Sequence, residues 1–222
     1  MATPATSAWR AAAIFAGTSG LIGISFGVLA RTGGVSLPMT CAMSLVIFAG
    51  GAQFLAIATI AAGGTPLAAV VGGLVLNARH IPYGLAVAPF LRGPLWKRAL
   101  SSQIVLDEST ALALAQPTPE LGRVAFYACG GMLFVAWNLG TLVGALAGGA
   151  IAGPSALGLD AAFPASMLAL LAPLLRRRDV RAAALAGAAI ALAATPFTAP
   201  GVPILLAAAG VLAARFAPAG RA

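Results

Sequence analysis

Long apolar runs separated by short charged or Gly/Pro-rich breaks set the pattern of this chain. Residues 11–30, 37–61, 66–91, 124–152, 158–175, 181–195 and 200–215 are apolar enough to be read as helices crossing a hydrocarbon core of roughly 30 Å. Residues 99–116 differ, because Asp107 and Glu108 sit side by side in an otherwise apolar background. That stretch predicts either a polar, buried eighth span or a partial, re-entrant helix. The expected fold is therefore all-α: a polytopic integral membrane helical bundle of about seven spans plus one partial or re-entrant helix, with broken helices. No fixed-period repeat and no long linker is visible, so residues 1–222 read as a single transmembrane domain.

Composition supports the pattern. Hydrophobic residues make up 60% of the 222, charged residues only 8%, and the mean hydropathy is +0.99, which excludes a soluble domain, a disordered chain and a disulfide scaffold. The net charge of +8 and isoelectric point near 11.3 could suggest a nucleic-acid partner. The arginines instead stand in small groups between apolar segments, as juxtamembrane anchors do, so no nucleic acid is expected. Cys41 and Cys129 lie inside apolar runs and form no metal-ligand spacing. Arg10 ahead of the first run gives it the look of a signal peptide, but without a clear small-residue cleavage site it is read as a retained span.

Basic residues also choose a topology. Seven crossings with a cytoplasmic C-terminus put Arg31, Arg92, Lys97, Arg98, Arg123, the Arg176–Arg177–Arg178/Arg181 cluster, Arg215 and Arg221 inside, leaving Arg10 outside. Letting residues 99–116 cross moves Arg31, Arg92, Lys97 and Arg98 outside, so the tally favours seven. Gly140, Gly144 and Gly148, with Gly23 and Gly27 earlier, form small-xxx-small stripes that suit close helix packing within the chain or a docking face for another subunit.

Ionisable and polar groups within such spans are the functional candidates. Asn77, Arg79 and His80 interrupt one span near its centre, and Tyr83 follows. Pro82 cannot donate to the carbonyl four residues back, that of Ala78, so the helix is expected to bend or unwind there. A broken helix at mid-membrane is how a transporter offers backbone groups to a solute; the plainer reading is a kink whose Arg79 pairs with a carboxylate. Asp107 and Glu108 are about 100° apart on a helix and so face differently. Asp107, with the shorter side chain, is expected to pair with Arg79, leaving Glu108 to titrate, because a carboxyl in a low-dielectric cavity favours its neutral form. His80 is the rival proton carrier, and a solvated interfacial helix is the alternative for the whole Asp107/Glu108 segment. Phe48 to Phe54 offers a double glycine, Gly50–Gly51, and the lone amide of Gln53. Asp160, ahead of Phe163–Pro164, reads as a helix-start charge favoured by the helix dipole.

Gly17–Thr18–Ser19–Gly20 with His80 resembles the serine–histidine dyad of rhomboid intramembrane proteases, which would make the chain an intramembrane hydrolase. The resemblance is four residues deep, and the single histidine and Pro82 depart from that pattern. A purely structural subunit is the third class.

Taken in order, FGVLARTGG, FAGGAQF, N-A-R-H with Tyr83, the Asp107–Glu108 pair and G-L-D before Pro164 resemble the AzlC family of branched-chain amino acid permeases over most of the chain. Gly51 and Pro82 depart mildly from the usual pattern. The resemblance implies export of branched-chain or related small amino acids across the bacterial inner membrane, together with a small AzlD-like membrane subunit. No nucleotide-binding loop is present, so coupling to protons is expected, with no cofactor and no metal; the alternative within transport is an exporter of an unrelated small metabolite. The expected site is Gln53, Asn77, Arg79, His80, Tyr83, Asp107 and Glu108. In it Arg79 and backbone amides meet the carboxylate, Asp107 or Glu108 meets the ammonium, and Phe48 and Phe54 hold the aliphatic side chain.

Overall fold

The computed structural model describes residues 4–148, 168, 172, 174–198 and 202–215, and the regular structure among them is helical. In order these are α1 (Pro4–Thr32), α2 (Leu37–Ile47), α3 (Gly50–Ala61), α4 (Pro66–Asn77) and α5 (His80–Val87), the last followed by a 3-10 turn over Ala88–Phe90. Then come α6 (Leu95–Ser102), α7 (Asp107–Leu114), α8 (Pro119–Gly148), α9 (Arg178–Ala194) and α10 (Val202–Ala207), which runs into a 3-10 stretch over Ala208–Arg215. Three described stretches are long and apolar enough to cross a membrane unaided: Ala8–Thr32, Pro119–Gly148 and Arg178–Phe197. Asp160 and Pro164, and with them most of the expected span 158–175, lie outside the described residues.

The spine is the pair α1 and α8. An added Cβ at Gly140 would collide with the carbonyl oxygen of Gly20, one at Gly144 with that of Ile24, and one at Gly148 would stand 3.1 Å from Val28 Cα. Each contact is offset by a similar number of residues, so the two helices run parallel, with bare glycines letting the backbones touch. The glycine stripe is thus internal packing, and the docking face for another subunit is not what it builds. Phe26, on α1, meets Phe54 edge-on at 5.6 Å and Trp137 stacked at 6.1 Å, which anchors α3 to this spine.

Residues 37–61 do not run the length of the spine but turn back on themselves. Ser36 accepts a bond from the Met39 N–H and starts α2, which runs from the C-terminal end of α1 to the middle of α8, where Ser44 donates to Asn138 Oδ1 at 2.7 Å. There Phe48 takes a left-handed conformation (φ 38°, ψ 48°), and α3 returns until Ile57 lies beside Gly33. Helices of 11 and 12 residues reach about 17 Å each, half of a bilayer core. Residues 66–90 then run the length of the spine in two pieces. Gly72 packs on Leu55 and Gly51 on Leu76 and Arg79, placing the Ala78–Arg79 break at the level of the first hairpin's tip. Phe90 ends beside Gly122, at the N-terminal end of α8. From that end α6 enters, with Ser101 and Tyr127 hydroxyls 2.9 Å apart, and α7 turns back until Ala113 reaches Gly122.

The described core is therefore a long helix with a re-entrant hairpin at one end, a broken crossing with a re-entrant hairpin at the opposite end, and α8 parallel to α1. This corrects the expected seven-span arrangement between residues 37 and 118. One net crossing, not two, separates α1 from α8, because residues 37–61 turn back at Phe48. The same fact corrects the charge tally: Arg31 stands at the opposite end of the spine from Arg92, Lys97 and Arg123. In the C-terminal part, Gly187 approaches Ala207 closely enough for α9 and α10 to pack as a small-residue pair.

Candidate functional site

Three interruptions of helical backbone converge near the middle of the spine: Phe48–Ala49, Ala78–Arg79 and Gln103–Leu106. Each has a local cause. Phe48 holds its left-handed backbone, a costly conformation for a bulky residue, with its ring edge-on to Phe134 at 4.9 Å. At the second break Pro82 offers no N–H, and the Ala78 carbonyl, expected to lack a partner, instead accepts from the Ile81 N–H at 3.1 Å. The chain tightens rather than unwinds. At the third, the Ser109 hydroxyl accepts from the Leu106 N–H at 3.0 Å and donates to the Ile104 carbonyl at 2.7 Å, turning the chain into α7.

The breaks border an open cavity of about 290 Å³ with Ile47, Phe48 and Ala49 from the first hairpin, Asn77, His80 and Gly84 from the broken segment, and Ser102, Gln103 and Val105 from the second hairpin. That is near the lower end of pockets for small organic molecules, roughly 300–1,000 Å³. The tips are tied together by Gln103, whose Nε2 donates to the carbonyls of Leu45 and Val46 at 3.0 Å each, occupying acceptors at the end of α2. His80 Nδ1–H donates to the Asn77 carbonyl at 3.0 Å, which leaves Nε2 as the acceptor of the neutral ring. Tyr83 lies edge-on to that ring at 6.0 Å.

Arg79 points to the other side of its break. Its Nη1 stands 3.2 Å from Asp107 Oδ2, with both side chains about 30% exposed. Of the two carboxylates, Asp107 is the one that meets the guanidinium. Gly51 lies beside this pair, where a Cβ would press on Leu76 Cδ2 at 3.0 Å and touch Arg79 Nη2 at 3.4 Å. Arg79 Nε, Asp107 Oδ1 and Asn77 Oδ1 are buried without a hydrogen-bond partner, so the polar seam has bonding capacity left over. Glu108 is half-buried and joins no ion pair among the described residues.

Of the seven expected site residues, the cavity wall takes Asn77 and His80. Arg79, Asp107 and Glu108 gather beside it in the seam, and Tyr83 abuts His80. Gln53 is fully buried, one turn into α3, and neither amide atom has a partner. Phe54, expected to hold a substrate side chain, is instead core, packed on Phe26 and Trp137. The roles of Ser102 and Gln103 in walling and tying the tips, and of Asn138 in holding Ser44, were missed. Asn138 carried a signal, a lone amide in a long apolar run; Gln103 carried none beyond its neighbourhood to Asp107. Among the described residues the hydrogen bond of His80 is to the Asn77 carbonyl and not to Ser19.

Comparison with known proteins agrees with this picture of a membrane protein. An uncharacterized membrane protein of Archaeoglobus fulgidus is 34% identical over 180 residues, covering 78% of this chain and 76% of that one. One of Helicobacter pylori J99 is 31% identical over 130 residues, 58% of this chain and 57% of its own, so the chain spans under two thirds of that relative. The branched-chain amino acid transport protein AzlC of Bacillus subtilis is 31% identical over 106 residues, 48% of this chain and 41% of its own. No solved structure matches. The model of the AzlC protein family matches residues 13–151, more than half of the sequence; this chain belongs to the AzlC family.

Proposed function

We propose that the chain is a secondary transporter that exports branched-chain or related small amino acids across the bacterial inner membrane. The observation that carries this reading is the cavity where three helix breaks meet, an arrangement that gives a solute backbone donors and acceptors at mid-membrane. The first N–H groups of α3 lack a side-chain cap at Ala49, on the cavity wall, and suit a carboxylate. The Asn77 side chain, with its unpartnered Oδ1, and His80 Nε2 suit an ammonium. Ile47, Phe48 and Val105 give the apolar wall for an aliphatic side chain.

In this reading the Arg79–Asp107 pair positions the two moving tips rather than binding substrate, and Glu108 loads and releases the coupling proton. In this reading the N-terminal end of the spine is cytoplasmic, a side supported by Arg92, Lys97, Arg98 and Arg123 at that end against Arg31 at the other. A small AzlD-like membrane subunit completes the transporter; its site on this chain is not the glycine stripe.

The experiment is uptake of labelled leucine into inside-out vesicles carrying this chain, with and without the companion subunit, under an imposed proton gradient. Gradient-driven accumulation above empty vesicles, lost in Glu108→Gln while leucine exchange persists, is the expected result. Accumulation that ignores the gradient in wild-type protein refutes the coupling, and the absence of any leucine-specific flux or exchange refutes the transport reading. The same profile in His80→Gln would move the proton-carrying role to His80.

A further inference from the structure

A second cavity, of about 480 Å³, lies toward the N-terminal end of the spine beside α6. Its cations are Arg92, Lys97 and Arg123, contributed by the loop after the broken crossing, by α6 and by α8. No carboxylate lines it, and none of the three joins an ion pair among the described residues. Three like charges around one hollow repel one another unless an anion joins them. The walls are built rather than accidental: the Ser101–Tyr127 hydroxyl bond clamps α6 to α8 at the cavity floor, and Lys97 Nζ sits 5.3 Å over the Trp96 ring.

The surroundings say what kind of anion belongs there. α6 buries none of its residues; Leu95, Trp96 and Leu100 are 80%, 61% and 68% exposed. An eight-residue helix with charged and apolar faces, a tryptophan and flanking cations lies in the headgroup region of a bilayer. Basic pockets beside membrane helices suit acidic headgroups. We propose that this cavity binds the phosphate of an anionic phospholipid, with Arg92, Lys97 and Arg123 as its ligands and the apolar side of α6 against the acyl chains. A free phosphate ester shares the headgroup's chemistry, but only a lipid also uses the exposed Leu95, Trp96 and Leu100. Ser101 lines this cavity and Ser102 the polar one, so a bound lipid braces the wall between them.

The test needs no transport assay. Purified full-length protein in detergent is exposed to phosphatidylglycerol, to phosphatidylcholine of the same acyl chains, or to glycerol 3-phosphate, and bound molecules are counted by native mass spectrometry. Phosphatidylglycerol is expected to be retained well above the other two. Arg92→Gln with Arg123→Gln should weaken its retention roughly thirty-fold, about fivefold per cation near an anionic headgroup, with the melting temperature without lipid unchanged. Lys97→Gln alone should lose about fivefold and serves if the double variant does not fold. The proposal is overturned if these variants retain phosphatidylglycerol as the wild type does, if phosphatidylcholine binds equally, or if glycerol 3-phosphate binds as tightly as the lipid.

Discussion

Gln103 offers the sharpest mutational test, because its amide is the hydrogen-bonded link between the two hairpin tips. Its Nε2 donates to two α2 carbonyls at 3.0 Å. At about 1 kcal/mol net per hydrogen bond, Gln103→Leu removes about 2 kcal/mol of tip-to-tip attachment. That corresponds to about a thirty-fold shift toward separated tips, and to a loss of roughly 4–8 °C in melting temperature for a chain of this size. Gln103→Glu is the more telling change. It keeps the shape of glutamine but replaces a two-proton donor by an acceptor facing two acceptors, so it should fall below the leucine variant in both melting temperature and leucine flux. Both variants are measured by thermal unfolding in detergent and by leucine exchange in proteoliposomes. If Gln103→Glu matches wild type in both, the amide fills space and the tips are held by something else.

Three further outcomes follow from the packing and the topology. Gly144→Leu should destabilise the isolated chain by at least the upper end of the roughly 1–3 kcal/mol seen for overpacking, since its side chain would enter the Ile24 backbone; Gly131→Leu, whose Cβ meets nothing, should melt like wild type. Arg79→Ala and Asp107→Ala should each lower the melting temperature, and their combination should lower it no further than either alone, because both singles leave a half-buried charge unpaired; additive losses would show that the two residues act separately. In a cysteine-free background, Thr32→Cys and Ala62→Cys should react with an impermeant thiol reagent from the same face of the membrane, whereas labelling from opposite faces would contradict the re-entrant first hairpin.

The sequence carried the long helices and the place of the second break legibly. The uninterrupted apolar run over 124–152 marked α8, and Pro82 marked the interruption that the structure puts at Ala78–Arg79. What could not be read was whether residues 37–61 cross. One 25-residue span and two half-length helices share the same apolar composition, and the deciding feature is the left-handed Phe48, held by Phe134 far along the chain. That single turn reverses the side of everything after it, which is why a charge tally that assumed a crossing placed Arg31 with Arg92 and Lys97. The ion pair was partly legible, because an arginine inside a span requires a counter-charge and few carboxylates exist. The cavity was not, since its walls come from three segments whose proximity depends on Gln103 reaching the carbonyls of Leu45 and Val46.

The central claim is that solute passes through the cavity where the three breaks meet, and Gly84 gives direct access to it. Gly84 lines that cavity, and a Cβ added there meets nothing within 4 Å, so Gly84→Phe fills the space without disturbing the fold. The measurement is leucine exchange in proteoliposomes for Gly84→Phe beside Gly17→Phe, a residue on α1 whose Cβ also meets nothing within 4 Å. The account predicts wild-type melting for both and exchange lost only in Gly84→Phe; exchange at the wild-type rate with the cavity filled would contradict it.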